Sequence, residues 1–515
     1  MLDFIKAKLN IWKSGTAKGI GDSPSEYTQL KSQLTDNMIF FQGKFDGCAD
    51  FVYKEMQICG KKAVVMYVDN MIDKLALSEA VMDPLTKAVP PAGMTNDEEI
   101  YKWLRDCVLF TVDQREIFSV EECQWLMMTG FVVLLIDDYE KALIFGLQAF
   151  KFRSIEEPLT EIAIRGPREG FVEPLRINLM LLRRRMKNTN LKFETYILGN
   201  ESKTEVCIAY LKGAAAPSLL ESVRHRLKTI DVDTILAAGY IQSYFQDSPL
   251  SIFSTVGTTE RPDVLCGKLY EGRVSVIVDG SPTTLLMPYL FTENFQNADD
   301  YAVGTYYATF TRILKYLAFF IAVMLPGLYV AVGSFHPALL PSALLYTLAQ
   351  SEEGTPFPLV FEAILMQFIY EMLREAGLRA PKQFGSAINI VGAFLIGQAA
   401  VSAGLIGAPM VIIVALTVTT GLVVPTLYEP GVIMRFVFII AAGMMGLFGI
   451  TLAFAFFAFL VCSMKTYEVP FTAPLAPLDI FSLRDVIIRA PWKVLSRKKV
   501  KVQDVTGSEV DKALG

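Results

Sequence analysis

The chain has 515 residues, 52% of them hydrophobic, and a formal net charge of −5. A mean hydropathy of +0.38 is too apolar for an ordinary soluble enzyme. The mildly acidic balance, without a basic stripe interleaved with aromatics, argues against nucleic-acid binding.

The charge is unevenly distributed. Residues 1–312 carry 41 acidic and 34 basic residues, 313–462 carry 11 charged residues in all, and 463–515 carry 9 basic against 6 acidic. This reads as a soluble half, a membrane block and a short basic tail. Seven scattered cysteines with no CxxC pair suit a reducing compartment. With His225 and His336 the only histidines, a His-based zinc site or triad is nearly excluded. No GxGxxG, Walker loop or HExxH is present, so neither an enzyme nor a cofactor or metal site is expected.

Residues 1–29 form a polar leader without the apolar core of a secretory signal, which places the soluble half in the cytoplasm. From 30 to 139, strands such as KAVVMYV (62–68) and FVVLLI (131–136) alternate with a helix over 74–85, giving a first α/β subdomain. Asp137-Asp138 reads as a solvated strand end, because neighbours on a strand point to opposite faces. A second α/β subdomain is expected over 140–298. It contains a helix with a basic end (175–187), a hairpin around GNES (191–211), an amphipathic helix (218–230) and a strand–turn–strand at Asp279-Gly280. No internal repeat is visible. The loops RGPREGFVEP (165–174) and GTTERPDVLCGKLYEGRVSVIVDGSP (257–282) combine Gly with Arg. Such loops can hold an anion through backbone N–H groups, or simply dock onto a neighbour.

Tyr301, Tyr306, Tyr307, Phe310 and Tyr316 form an aromatic belt ahead of a span at 313–333. Further spans are expected at 386–404, 408–425 and 436–462. The segment 357–377 places Gln367, Glu371, Arg374 and Glu375 on one helical face. Charges there are costly in lipid, roughly 2.5–3.5 kcal/mol each, so the segment is expected to be amphipathic or re-entrant, with that face at a gate or subunit seam. Ser386, Asn389, Ala393, Gly397, Ala400 and Gly404 make a small-residue stripe. It fits either close helix packing or a pore wall, and these six residues are the expected pore-lining candidates. The basic residues of 464–515 place that tail in the cytoplasm, and both termini inside require an even number of crossings. The fold class is therefore an α/β cytoplasmic half in two subdomains, an all-α polytopic membrane domain and a basic tail.

On RGPREGFVE, on GTTERPDVLCGKLYEGRVSVIVDGSP and on the run from Pro356 through the stripe, the chain resembles the A subunits of the GerA family of spore germination receptors. The resemblance implies a multi-pass protein of the endospore's inner membrane. It would assemble as a homo-oligomeric, expectedly pentameric ring that forms a nutrient-gated channel for monovalent cations. The implied partners are a transporter-like B subunit and a lipoprotein C subunit. A secondary transporter and a non-conducting scaffold or amplifier remain the alternative readings.

Overall fold

The computed structural model describes residues 29–510 apart from 92–93, 95, 110, 112, 149–157, 159–160, 162, 249–250, 381–396 and 496–500. The chain divides into two compact units, one of residues 1–151 with 186–189 and the other of 152–185 with 190–515.

The first unit opens with helix α1 (Leu34–Phe45). Its five-stranded sheet has the order β1-β2-β4-β5-β3, with every neighbouring pair antiparallel. The strands are β1 (Phe51–Ile58), β2 (Lys61–Val68), β3 (Gln114–Ile117), β4 (Val132–Ile136) and β5 (Ala142–Phe145). Cys59 and Gly60 both have positive φ, the requirement of the tight two-residue turn that joins β1 to β2. All residues of β4 and β5 are buried, as expected of apolar runs at the centre of a sheet. The boundary expected at 139–140 therefore cuts the first sheet. ALIF is a core strand, and the unit continues to Lys151. Helix α2 (Val120–Met127), capped by the Ser119 hydroxyl, connects β3 to β4.

The second unit carries a sheet of order β6-β7-β9-β10-β8, again antiparallel throughout. It comprises β6 (Leu191–Leu198), β7 (Thr204–Leu211), β8 (Gly257–Thr259), β9 (Val274–Val278) and β10 (Thr284–Met287). Numbered within each sheet, both orders are first, second, fourth, fifth, third. The two soluble sheets thus repeat one topology although no repeat is visible in the sequence. Helices α3 (Leu175–Arg185), α4 (Pro217–Lys228), α5 (Ala238–Phe245) and α6 (Pro262–Tyr270) accompany the second sheet.

The membrane block belongs to the same second unit. Helix α7 (Thr305–Phe335) is followed by α8 (Ser342–Glu352), α9 (Leu359–Arg379), α10 (Ala408–Gly421) and the long α11 (Tyr428–Ser463). Among the described residues, two apolar helical stretches are long enough to cross a bilayer, Thr305–Phe335 and Pro425–Ser463, with mean hydropathies of 2.0 and 2.4. The second does not run straight. Gly446 has φ 60° and ψ −140°, and the Phe438 and Phe457 rings lie 5.8 Å apart. In a straight helix those residues would be separated by about 28 Å at 1.5 Å per residue. Residues 428–463 therefore form a helical hairpin with its tip at Gly446, replacing the single span expected at 436–462.

Helix α9 packs against both long helices. Its first residues meet the end of α7, where Gly333 faces Leu359, and the hairpin near its tip, where Gly443 faces Val360. Two to three turns on, Gln367 reaches Arg435, which also bonds the middle of α7 at Ala322. α9 thus runs antiparallel to α7.

The C-terminal tail is built into the soluble part. Tyr467, Val469, Val502 and Val510 are buried in the core of the second sheet. The Tyr467 hydroxyl donates to the Phe245 carbonyl at 3.0 Å.

Candidate functional site

The membrane block carries a buried polar bracket about halfway along α7. Arg435 is 2% exposed and ties three helices together. Its Nε donates to the Ala322 carbonyl of α7 at 2.9 Å, and its Nη1 donates to Gln367 Oε1 of α9 at 2.9 Å. Glu371 Oε1 lies 3.6 Å from the same guanidinium and accepts from the Tyr428 hydroxyl at 2.9 Å. Arg374 places its guanidinium 3.6 Å from the centre of the Tyr428 ring, a cation–π contact. Ala322 stands ten residues beyond Arg312 on α7, about 15 Å along the axis.

Three of the four residues of the expected polar face, Gln367, Glu371 and Arg374, thus turn toward α11 of their own chain. Glu375 lies a turn further on, where it pairs with Arg379 at 2.7 Å at an exposed position. Sequence reading missed Arg435 because the span was drawn from the next residue. The available signal was that Arg435 is the one basic residue between Lys382 and Lys465. A cation there must find partners within the protein.

Of the small-residue stripe, Ser386, Asn389 and Ala393 lie outside the described residues. Residues 397–402 are helical. Gly397 is buried opposite Val411 of α10, and Ala400 belongs to the apolar core with Met410 and Val414. Gly404, with φ 65°, ends the helix. On the other side of this turn and a half, Gln398 and Ser402 are exposed.

A second buried charge cluster stands at the foot of α7. Arg312 is fully buried; its Nε donates to Asp300 Oδ2 at 2.9 Å and its Nη1 to Asp485 Oδ1 at 3.0 Å. The Tyr301 hydroxyl donates to the other Asp485 oxygen at 3.0 Å. Arg489 donates to Thr305 Oγ1 and to the Tyr301 carbonyl, at 2.9 and 3.1 Å. Beside these polar contacts an aromatic cluster joins sheet and helix. The Phe295 ring stacks on Tyr316 at 3.9 Å, and Phe291 meets Phe319 and Phe471 edge-on. Tyr316, expected in the lipid belt, is thereby drawn into the protein, whereas Tyr306, Tyr307 and Phe310 remain exposed.

The two Gly/Arg loops of the soluble half meet one another. Phe171 N–H donates to the Glu260 carbonyl at 2.7 Å, and Gly280 N–H donates to the Glu173 carbonyl at 2.9 Å. Glu169 bonds both Arg184 and Arg185, and Arg261 bonds Asp263. In the second loop Arg261 thus meets a carboxylate of the protein, and in the first the carboxylate of Glu169 is taken up by two arginines of α3. A cleft of about 490 Å³ is lined in part by Lys268, Glu271, Arg273, Glu293, Arg484 and Trp492. Arg273 bonds Glu271 and Glu293. Burial lowers the Lys268 amine to about 8.

The chain matches the family model described as Bacillus/Clostridium GerA spore germination protein over residues 40–500. It is 37% identical to spore germination protein KA of Bacillus subtilis, over 90% of this chain and 85% of that protein. It is 33% identical to spore germination protein GerLA of Bacillus cereus, over 92% and 96% of the two chains. The crystal structure of the N-terminal domain of the A subunit of the Bacillus megaterium germinant receptor GerK3 matches 52% of this chain and 98% of its own. That match has 26% identity and a TM-score of 0.41. The chain belongs to the GerA family of spore germination proteins.

Proposed function

We propose that this protein is the membrane subunit of a germinant receptor that oligomerises into a nutrient-gated channel and releases monovalent cations at the start of germination. Its partners would be further copies of itself in a ring, with five as the expected number, a transporter-like B subunit and a lipoprotein C subunit. Its place would be the endospore's inner membrane, with the soluble units and the tail on the cytoplasmic side.

The observation that carries this reading is the way the soluble part and the membrane helices share buried structure. Arg312 at the foot of α7 is held by Asp300 from before the helix and by Asp485 from the tail. A movement of the soluble part would therefore reach α7 directly, as a channel gated by a relayed signal requires. The burial of tail residues in the second sheet supports the reading that both ends of the membrane block lie on one side of the bilayer, with an even number of passes.

We also propose that the helix carrying the stripe forms the pore wall. Because Gly397 and Ala400 pack inside the chain, its exposed Gln398 and Ser402 would face the ion path and the described part of the stripe would back it. The face of Gln367, Glu371 and Arg374 would act as the bracket that sets the position of α9, with Glu375 nearest a seam. Images of the detergent-purified particle test the assembly. Several copies around a central opening support it, and a stable monomer would remove the ring.

A further inference from the structure

The tail between residues 478 and 494 leaves large apolar side chains uncovered. Ile480 is 80% exposed, and Ile488 and Trp492 are each 58% exposed. In the same segment Val486, Arg489 and Ala490 are buried, so the stretch is two-sided and not merely apolar. Its position is fixed against the start of α7. The Arg489 backbone N–H donates to Thr309 Oγ1 at 3.2 Å, its guanidinium reaches Thr305, and the Trp492 indole N–H donates to the Tyr301 carbonyl at 3.3 Å. These bonds span the first turns of α7, where Tyr306 is 91% exposed and Tyr307 and Phe310 are also uncovered. Ile488 and Trp492 are next to, or are themselves, the residues so pinned, which puts them at the height of that aromatic belt.

Water is a poor neighbour for this surface, because large apolar side chains gain free energy on leaving it. The headgroup layer of a bilayer suits it better. Indole and phenol rings collect at that depth, and the exposed Lys493 can remain in the polar region while its stem lies along the apolar one. A second protein is the less economical occupant, since the belt on α7 is continuous with this surface and already needs lipid.

We propose that residues 478–494 lie in the phospholipid headgroup layer as an interfacial clamp, with Ile480, Ile488 and Trp492 dipped toward the acyl chains beside α7. The inference rests on the membrane reading of α7, and its test separates the two. A full-length variant with Trp12, Trp103 and Trp125 changed to Phe keeps Trp492 as its fluorophore and is reconstituted into vesicles of brominated phosphatidylcholine. Trp492 is expected to be quenched more by bromine near the headgroup than by bromine near the chain end, and to be shielded from aqueous acrylamide. A companion chain with Trp492→Phe and Phe320→Trp reports on α7 itself and is expected to be quenched by the deep bromine. Quenching of the companion, together with a Trp492 open to acrylamide and silent to bromolipid, overturns the clamp while the membrane reading stands. A companion silent to every bromolipid overturns both.

Discussion

Arg435 donates through Nη1 to the side-chain oxygen of Gln367 at 2.9 Å, so the one cation in the apolar hairpin is held by a neutral amide from a neighbouring helix. Glu371, at 3.6 Å, supplies the opposite charge. The bracket is a buried charge with a specific set of partners, and its worth lies in the cost of breaking it.

Arg435→Ala leaves Gln367 Oε1 without its donor, leaves Glu371 to Tyr428 and Arg374 alone, and opens a void between three helices. Removing one member of a buried pair costs about 3–5 kcal/mol, so thermal unfolding in detergent should move sharply downward. Gln367→Glu replaces an amide by a carboxylate opposite the same guanidinium and should be tolerated. An Arg435→Ala protein that melts with the parent would show that the bracket contributes nothing.

Gly446 forms the tip of the hairpin at positive φ, and a side chain there would meet Phe335 and His336. Gly446→Ala should destabilise by roughly 1–3 kcal/mol through backbone strain alone. The reversal has a more direct signature. With Cys462→Ser, Phe438→Cys and Phe457→Cys should cross-link through a short bifunctional reagent. Absence of the cross-link in a folded protein would restore a straight helix.

At the far end of the block, the Tyr329 hydroxyl approaches Glu352 of α8 at 3.4 Å. Burial, with Glu362 nearby, raises the Glu352 carboxyl to about 7. The folded protein therefore holds this proton more tightly than the unfolded chain. Its stabilising effect is present below the ordinary carboxylate value and is lost as pH rises toward about 7. Hydrogen exchange in α8 should accelerate over that window, and Glu352→Gln should flatten the response. Equal pH dependence in both proteins would contradict the assignment.

Much of the soluble half was legible because its signals are local. KAVVMYV, FVVLLI and EVCIAYL are β-rich runs, and each became a strand. The boundary near 139 was misplaced because ALIF is short and only its pairing with β3 and β4 identifies its sheet. The shared strand order of the two sheets was invisible, since topology is set by long-range pairing and not by residue identity. In the membrane block, apolar composition marks a helix but not its direction. The reversal at Gly446 depends on one backbone conformation, and glycine is common in packed helices for other reasons. The polar face of α9 could be seen, but its partner on α11 could not, because a residue's neighbour across a helix pair is a matter of register.

The helix through 397–402 divides the pore proposal into two experimental sides. Gln398→Leu and Ser402→Leu should reduce ion release from spores while the protein still assembles. Gly397→Leu should instead disturb packing against Val411 and lower the amount of folded protein. The opposite pattern would turn the small-residue side toward the ion path.

The central claim is conduction, and it is tested most directly by reconstituting the purified assembly into liposomes and recording monovalent-cation current with and without its receptor partners. A conductance that depends on the partner-relayed signal and is diminished by Gln398→Leu is expected. A correctly folded, oligomeric protein that passes no current under any of these conditions would contradict it.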